Sequence, residues 1–244
     1  MYANLLVLGR VPYAEALTLQ QRLVTARKAG VIEDTLVLLE HPPVLTLGRN
    51  ARRENIVASD ELLRAKGVDV HEINRGGDVT YHGPGQLVGY PIVDLRGDLP
   101  NKRGPHLGPV DFVRLLEELL IRVCADFRIP AQRIPKCTGV WTIPTEAIRE
   151  KKLAAIGVHV SAGVTSHGFA LNVTTDLHDF DWIIPCGITD RGVTALELES
   201  PLDPAPTLED AINSTSRAYS RTFKRQMLRT DSLEALLANL APSR

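Results

Sequence analysis

The spacing of apolar residues predicts a strand, a helix and several further strands in the first third of the chain. Residues 5–8 form a short apolar run typical of a buried strand, and residues 14–27 carry apolar side chains every three or four positions, like one helix face. Two strands at residues 35–39 and 44–47 flank His41-Pro42-Pro43, whose prolines predict a hairpin or a bend. Ser59 is a suitable N-cap for a short helix ended by Gly67, and a strand follows at residues 68–73.

The rest of the chain continues this mixed order of elements. Residues 76–95 predict strands around a glycine-rich loop, and residues 96–109 an exposed connection. Residues 110–127 predict the strongest helix, with an apolar stripe at Val113, Leu116, Leu120, Val123 and Phe127. Further strands are predicted at residues 140–143, 153–160 and 167–173, and Thr207 and Asp210 resemble a capping box. Because strands and helices do not alternate strictly, we expect an α+β fold with a mixed sheet. We assign one domain to residues 1–225 and a C-terminal tail, with a short helix at residues 232–240, to residues 226–244.

Charge and composition exclude several classes of protein. The 244 residues include 28 Lys and Arg against 29 Asp and Glu, a net charge of -1, which gives no general reason to bind nucleic acid or a membrane surface. No apolar stretch approaches the roughly 20 residues of a membrane span, and the first residues lack a charged leader. We therefore expect a cytoplasmic protein. Its three scattered cysteines match neither a disulfide framework nor a zinc site, and no metal is expected.

The densest polar motif is the stretch Arg75-Gly-Gly-Asp-Val-Thr-Tyr-His-Gly-Pro-Gly-Gln86. Glycine lets the backbone adopt positive φ and approach a ligand closely, which favours a binding wall. The alternative is a glycine-rich hairpin with no ligand. A cation, a carboxylate, a phenol and an imidazole in one segment favour a functional site, although the spacing matches neither common nucleotide-binding fingerprint.

A second motif is the strand that begins at Lys151-Lys152 and leads to a return strand with His167. A lysine at the head of an apolar strand can point into a cleft and act as a base, whereas an ordinary surface lysine is solvated. Simple alternation places Lys152 on the face shared with Ala154 and Ile156 and turns Lys151 away, so we prefer Lys152. His167 and Asn172 are compatible with structural roles.

The three cysteines differ in their surroundings. Cys186 lies between Pro185 and Gly187, a rigid bend with open space, and is the candidate nucleophile, although a buried inert thiol is the alternative. Cys124 falls on the apolar side of the long helix, and Cys137 is expected in a loop.

Four segments taken together resemble the lipoyl(octanoyl) transferases. They are, in chain order, the Arg75–Gln86 stretch, Lys152-Leu-Ala-Ala-Ile-Gly157, His167-Gly-Phe-Ala-Leu-Asn172 and Pro185-Cys-Gly187. The resemblance implies a fold similar to the catalytic domains of biotin and lipoate protein ligases, no cofactor, and transfer of an octanoyl group without ATP. The donor would be octanoyl-acyl carrier protein. The acceptors would be lysines of lipoyl domains and of the glycine cleavage H protein.

The same resemblance implies the roles of individual residues. Cys186 would form a thioester with the octanoyl group, and Lys152 would move the protons. The residues implied to line the acyl pocket are Arg75, Gly76, Gly77, Tyr81, His82, Gly83, Gly85, Ala155, Ile156, Gly157, His167, Gly168 and Ala170.

Two other functions remain open at the level of sequence. An ATP-dependent lipoate or biotin ligase would share the fold but needs no thiol nucleophile. A non-enzymatic acyl-binding module would keep the pocket without requiring the pair Lys152 and Cys186.

Overall fold

A computed structural model describes residues 1–102, 104–184, 191–230 and 233–238. The strands are β1 Tyr2–Arg10, β2 Thr35–Glu40, β3 Val44–Leu47, β4 Asp69–Glu72, β5 Val79–His82, β6 Gln86–Ile92, β7 Ala131–Ile134, β8 Cys137–Thr142, β9 Lys152–Ser161, β10 Val164–Asn172 and β11 Gln226–Thr230. The α-helices are α1 Tyr13–Lys28, α2 Asp60–Ala65, α3 Pro109–Asp126, α4 Leu196–Glu199, α5 Leu208–Phe223 and α6 Leu233–Ala238. Two 3-10 helices lie at Arg53–Asn55 and Leu177–Trp182. Among the residues described, no helix combines the length and hydrophobicity needed to cross a bilayer.

Eight strands form the main sheet in the order β11-β1-β2-β6-β10-β9-β8-β7. The pairs of β1 with β11 and with β2 are parallel, and the other pairs are antiparallel. A second sheet has the order β4-β3-β5. This architecture confirms the predicted α+β fold with a mixed sheet. The segment His41-Pro42-Pro43 is a bend, because β2 and β3 belong to different sheets and do not pair.

Helices cover both faces of the main sheet. Helices α3 and α5 pack on one face around the largest apolar cluster, and α1 packs on the other around a second cluster. The predicted stripe of α3 is confirmed at Leu116, Leu120, Val123 and Phe127, which are buried, whereas Val113 is half-buried.

Local signals in the sequence explain several element ends. The Ser59 hydroxyl accepts the backbone N–H of Leu62 at the start of α2 (3.2 Å), and Thr207 and Asp210 form the predicted capping box of α5. The helix predicted in the tail occurs as α6, whose Leu236 is buried.

Three expectations need correction. The connection over residues 96–109 is not wholly exposed, because Leu99 and Leu107 are buried in the cluster beneath α3 and α5. Cys137 is the first residue of β8 rather than a loop residue. Strands β7 and β11 occupy the two edges of the main sheet and were not anticipated from the sequence.

Close packing of β6 against β10 depends on two glycines. A Cβ at Gly168 would lie 2.1 Å from the carbonyl oxygen of Gly89, and a Cβ at Gly89 would lie 2.1 Å from the Phe169 ring. Neither contact is possible for real atoms, so both positions must lack a side chain.

Gly168→Ala should therefore lower the free energy of unfolding by about 1–3 kcal/mol, because the methyl group meets backbone that cannot move aside cheaply. Gly9→Ala is the matched control in β1, since a Cβ there has nothing within 4 Å. Urea unfolding of the two variants tests this directly. An equal effect of the two substitutions would show that the strand spacing described here is incorrect.

Candidate active site

A cavity lies between β5 of the small sheet and the face of the main sheet that α1 covers. It contains about 800 Å³ of empty volume, counting its open mouth. Ten of the residues expected at the site line it together: Arg75, Gly77, His82, Lys152, Ala155, Ile156, Gly157, His167, Gly168 and Ala170.

Tyr81 and Gly83 lie away from the cavity lining and pack together. The Tyr81 ring is buried edge-on against Phe180 and Trp182, and its hydroxyl donates to the Asp179 carboxylate. A Cβ at Gly83 would overlap the Tyr81 hydroxyl at 1.8 Å. Gly83 therefore makes room for a tyrosine of the small-sheet core.

Gly76 and Gly85 also lie outside the described lining. Their backbone N–H groups make hydrogen bonds that hold the glycine-rich segment in place. The N–H of Gly76 donates to the Val158 carbonyl (3.0 Å), which ties the glycine-rich segment to β9. Gly85 has φ +78° and donates its N–H to the Glu40 carboxylate (2.6 Å). Glycine is favoured at this position because other residues rarely adopt positive φ.

Arg75 is a buried cation that joins the glycine-rich segment to β3. Its guanidinium donates to the Thr46 carbonyl (2.7 Å), to the Thr46 hydroxyl (3.0 Å) and to the Gly76 carbonyl (3.0 Å). A Cβ at Gly157 would lie 3.0 Å from Arg75 Cδ and 2.7 Å from the Gly76 oxygen. Gly157 therefore permits the close approach of this segment to β9.

A buried chain of hydrogen bonds links His82 to the backbone beside Lys152. His82 Nδ1 donates to Gln86 Oε1 (2.8 Å), because an amide oxygen only accepts. Gln86 Nε2 donates to Asn172 Oδ1 (3.0 Å), and Asn172 Nδ2 donates to the Thr194 carbonyl (2.9 Å). The Thr194 N–H in turn donates to the Lys152 carbonyl (2.9 Å). Gln86 and Asn172 thus fix the position of the His82 ring relative to the start of β9.

The histidines around the cavity are neutral at neutral pH. Burial lowers the pKa of His82 to about 3 and the pKa values of His41 and His167 to about 4. His41 Nδ1 donates to the Val11 carbonyl (2.6 Å), and its Nε2 accepts from the Tyr90 hydroxyl (2.7 Å). His167 Nε2 donates to Asn74 Oδ1 (2.7 Å). Each of these three imidazole rings is therefore uncharged.

Aromatic side chains missed by the sequence reasoning complete this wall. Tyr13, the first residue of α1, stacks on the His82 ring with centroids 6.2 Å apart and planes 9° apart. Tyr13 and Tyr90 both line the cavity. Tyr13 is separated from the motifs by some sixty residues of sequence, so only the fold brings it to the site.

Lys152 is 7% exposed and lines the cavity, but the alternation argument used to choose it is wrong. Trp141 pairs with Lys152 and Val140 pairs with Ala154, so Leu153 is an extra residue that forms a β-bulge. Paired residues of antiparallel strands point to the same face, and neighbours on one strand point to opposite faces. Lys152 therefore lies on the cavity face, whereas Ala154 points into the core on the other face.

Three other basic or sulfur-containing side chains differ from Lys152. Lys151 is half-buried and does not belong to the described cavity lining. Burial raises the pKa of the Cys124 thiol to about 12, in agreement with its packing role on α3. Cys137 is half-buried and accepts a hydrogen bond from Arg191 at its Sγ (3.3 Å).

Cys186, the candidate nucleophile, lies outside the described residues. The described residues before and after Cys186 make backbone hydrogen bonds near the cavity. The N–H of Ile184 donates to the Asn55 carbonyl (2.7 Å), and the Gly192 carbonyl accepts the N–H of Lys152 (2.9 Å). Val193 lines the cavity.

Within the described ranges, no group of three or more His, Cys, Asp or Glu side chains is arranged to hold a metal ion. Arg75, His82 and His167 each make hydrogen bonds within the protein, although His167 Nδ1 is buried without a described partner. The arrangement suits an apolar ligand beside one buried amine.

Comparison with known proteins identifies the family. Residues 12–220 match the family model of the lipoyl protein ligase A/B catalytic domain. The chain is 60% identical over 241 residues to an octanoyltransferase of Acidobacterium capsulatum, covering 99% of this chain and 98% of that one. It is 53% identical over 234 residues to an octanoyltransferase of Koribacter versatilis, covering 96% of this chain and 89% of that one.

The fold is also similar to solved structures of low sequence identity. A bipartite lipoate protein ligase from Thermoplasma acidophilum has a TM-score of 0.69 at 17% identity, covering 98% of this chain and 92% of that chain. A lipoate-protein ligase A bound with ATP has a TM-score of 0.67 at 17% identity, covering 98% and 94%. These likenesses concern the fold alone. The family model and the two close relatives show that the chain belongs to the octanoyltransferase family, with a lipoyl protein ligase A/B catalytic domain.

Proposed function

We propose that the protein transfers an octanoyl group from octanoyl-acyl carrier protein to the ε-amine of a lysine on a lipoyl domain or on the glycine cleavage H protein. The observation that carries this proposal is a cavity with one buried amine, Lys152, in a chain 60% identical to an octanoyltransferase. The reaction would take place in the cytoplasm and need no cofactor.

The cavity suits an unbranched acyl chain. Ala155 and Ala170 pair across β9 and β10, and Gly157 pairs with Gly168, so small residues form the floor. The neighbouring histidines are uncharged, because burial holds their pKa values at about 3 to 4. A floor of small side chains leaves space for methylene groups, whose removal from water stabilises binding by about 0.8 kcal/mol each.

Cys186 is the proposed nucleophile, on the strength of the Pro185-Cys-Gly187 motif. In the first half-reaction, its sulfur attacks the carrier thioester and the Lys152 amine accepts the thiol proton. The carbon–sulfur bond to the carrier breaks, and the carrier thiolate takes up that proton. The octanoyl group is then held by Cys186 as a new thioester.

In the second half-reaction, the acceptor lysine amine attacks the octanoyl-enzyme. An amide bond forms, the bond to Cys186 breaks, and Lys152 accepts the proton released from the attacking nitrogen. The thioester donor is already activated, so no ATP is consumed. Formation of the stable amide drives the two half-reactions forward.

The first test is octanoyl transfer in the absence of ATP. Purified protein, octanoyl-acyl carrier protein and a lipoyl domain should yield a lipoyl domain heavier by one octanoyl group, measured by mass spectrometry. An obligatory requirement for ATP would instead identify a ligase. Binding of the octanoyl group with no transfer would identify an acyl-binding module.

The second test compares two adjacent lysines. Lys152→Ala should lower kcat by about 100-fold or more, because proton transfer by a positioned group contributes roughly that much. Lys151→Ala should stay close to the unsubstituted enzyme, since its side chain does not belong to the described lining. Unfolding free energies measured in parallel identify any loss of folding. An equal loss of kcat in both folded variants would contradict the role of Lys152.

The third test follows from the neutral histidines. The pKa of His41 is lowered to about 4, so below pH 6.5 the unfolded chain binds a proton that the folded protein excludes. The free energy of unfolding should have its full value above pH 6.5. It should decrease as the pH falls toward 4, by about 3 kcal/mol for His41 alone.

Urea unfolding between pH 7 and pH 5 measures this loss, above the range in which most carboxylates titrate. His41→Gln should make the dependence less steep, whereas the control His106→Gln, at an exposed position, should leave it unchanged. Constant stability between pH 7 and pH 5 would contradict the buried neutral histidines.

A further inference from the structure

The aromatic ring of Trp141 lies beneath the amine of Lys152. The Lys152 Nζ is 4.7 Å from the centroid of the Trp141 ring, within the range of roughly 6 Å for a cation–π interaction. Trp141 is 1% exposed. The interaction therefore operates away from water, where it is strongest.

The fold fixes the ring in place. The Trp141 Nε1–H donates to the Cys137 carbonyl (3.1 Å), four residues earlier on the same strand. The bulge at Leu153 brings Lys152 to the face on which Trp141 lies. Ring and amine are neighbours because of this one extra residue.

The backbone of Lys152 is held on both sides. Its N–H donates to the Gly192 carbonyl and its carbonyl accepts the Thr194 N–H, each at 2.9 Å. A Cβ at Gly139 would lie 2.6 Å from the Ala154 carbonyl and 3.7 Å from Lys152 Cε. The lysine stem therefore runs over a glycine that is itself held by a hydrogen bond from its N–H to the buried Glu117 carboxylate (3.2 Å).

A lysine side chain has a flexible four-carbon stem, so the position of its amine at a reaction centre depends on the groups that hold Nζ. An aromatic face attracts the ammonium but has no site that takes its proton. The ring can therefore orient Nζ while leaving the proton available for transfer. The Arg191 guanidinium, 5.8 Å from the same ring, has its own carboxylate partner in Glu150 (2.7 Å).

We propose that Trp141 is a positioning residue: in each half-reaction the negative face of its ring holds the Lys152 ammonium at the cavity, from the moment the amine accepts a proton until it passes that proton on. This inference rests on the proposed octanoyl transfer and assigns to it a residue outside the sequence motifs. Trp141 acts through Lys152 and does not itself contact the described cavity.

Progressive fluorination of the indole tests the proposal, because fluorine weakens the negative ring face with little change in shape. The chain has two tryptophans, so Trp182→Phe leaves Trp141 as the sole site for incorporation of mono-, di- and trifluorotryptophan. We expect kcat for octanoyl transfer to fall stepwise, by ~10-fold in total, with an unchanged KM for the donor, in proteins whose unfolding curves show a folded state. A kcat that does not respond to fluorination would overturn the proposal. Absence of transfer by the unfluorinated parent and by the wild-type protein would instead show that the proposed function is wrong.

Substitution provides a second readout. Trp141→Phe retains an aromatic face and should keep most of kcat, whereas Trp141→Leu should lose about as much as trifluorination does. Both variants are compared only after their unfolding curves show a folded state. Equal kcat in folded Phe and Leu variants would overturn the role of the ring.

Discussion

The β-bulge at Leu153 determines on which face of β9 Lys152 lies. Without this extra residue, regular alternation would put Lys152 on the same face as Ala154, in the core beneath α3 and α5. With it, the amine lies on the cavity face beside Trp141. Beyond Ala154, where β9 is no longer paired with β10, residues 192–194 accept and donate the backbone hydrogen bonds of Lys152. The bulge and this short segment together position the proposed base.

Around that amine, Arg75 and His82 make hydrogen bonds within the protein, whereas His167 Nδ1 is buried without a described partner. Arg75 is bonded to the backbone of Thr46 and Gly76, and His82 is bonded through Gln86 and Asn172 to the strand end at Thr194. Buried histidines stay neutral because the charged imidazolium would be held away from the water that stabilises it. A ligand with an apolar chain can therefore enter without breaking protein hydrogen bonds.

The members of the cavity lining that were expected followed from the resemblance to the lipoyl(octanoyl) transferases. The sequence by itself predicted the fold class and the long helix, because periodicity is a local signal. It did not separate glycines that face the cavity, such as Gly77, from Gly83, which accommodates Tyr81, since both need a missing Cβ. Edge strands β7 and β11 are short and partly exposed, so their apolar pattern is weak. The face on which Lys152 lies could not be predicted by alternation, because the bulge depends on pairing with β8 and leaves no mark in the sequence of β9 alone.

The central claim is that the octanoyl group is carried covalently by Cys186. The most direct measurement is the intact mass of the enzyme after incubation with octanoyl-acyl carrier protein and no acceptor, followed by mapping of the modified peptide. The account predicts one added octanoyl group, located on Cys186, released by hydroxylamine and absent in Cys186→Ser. An adduct that persists in Cys186→Ser, or that maps to another residue, would contradict it.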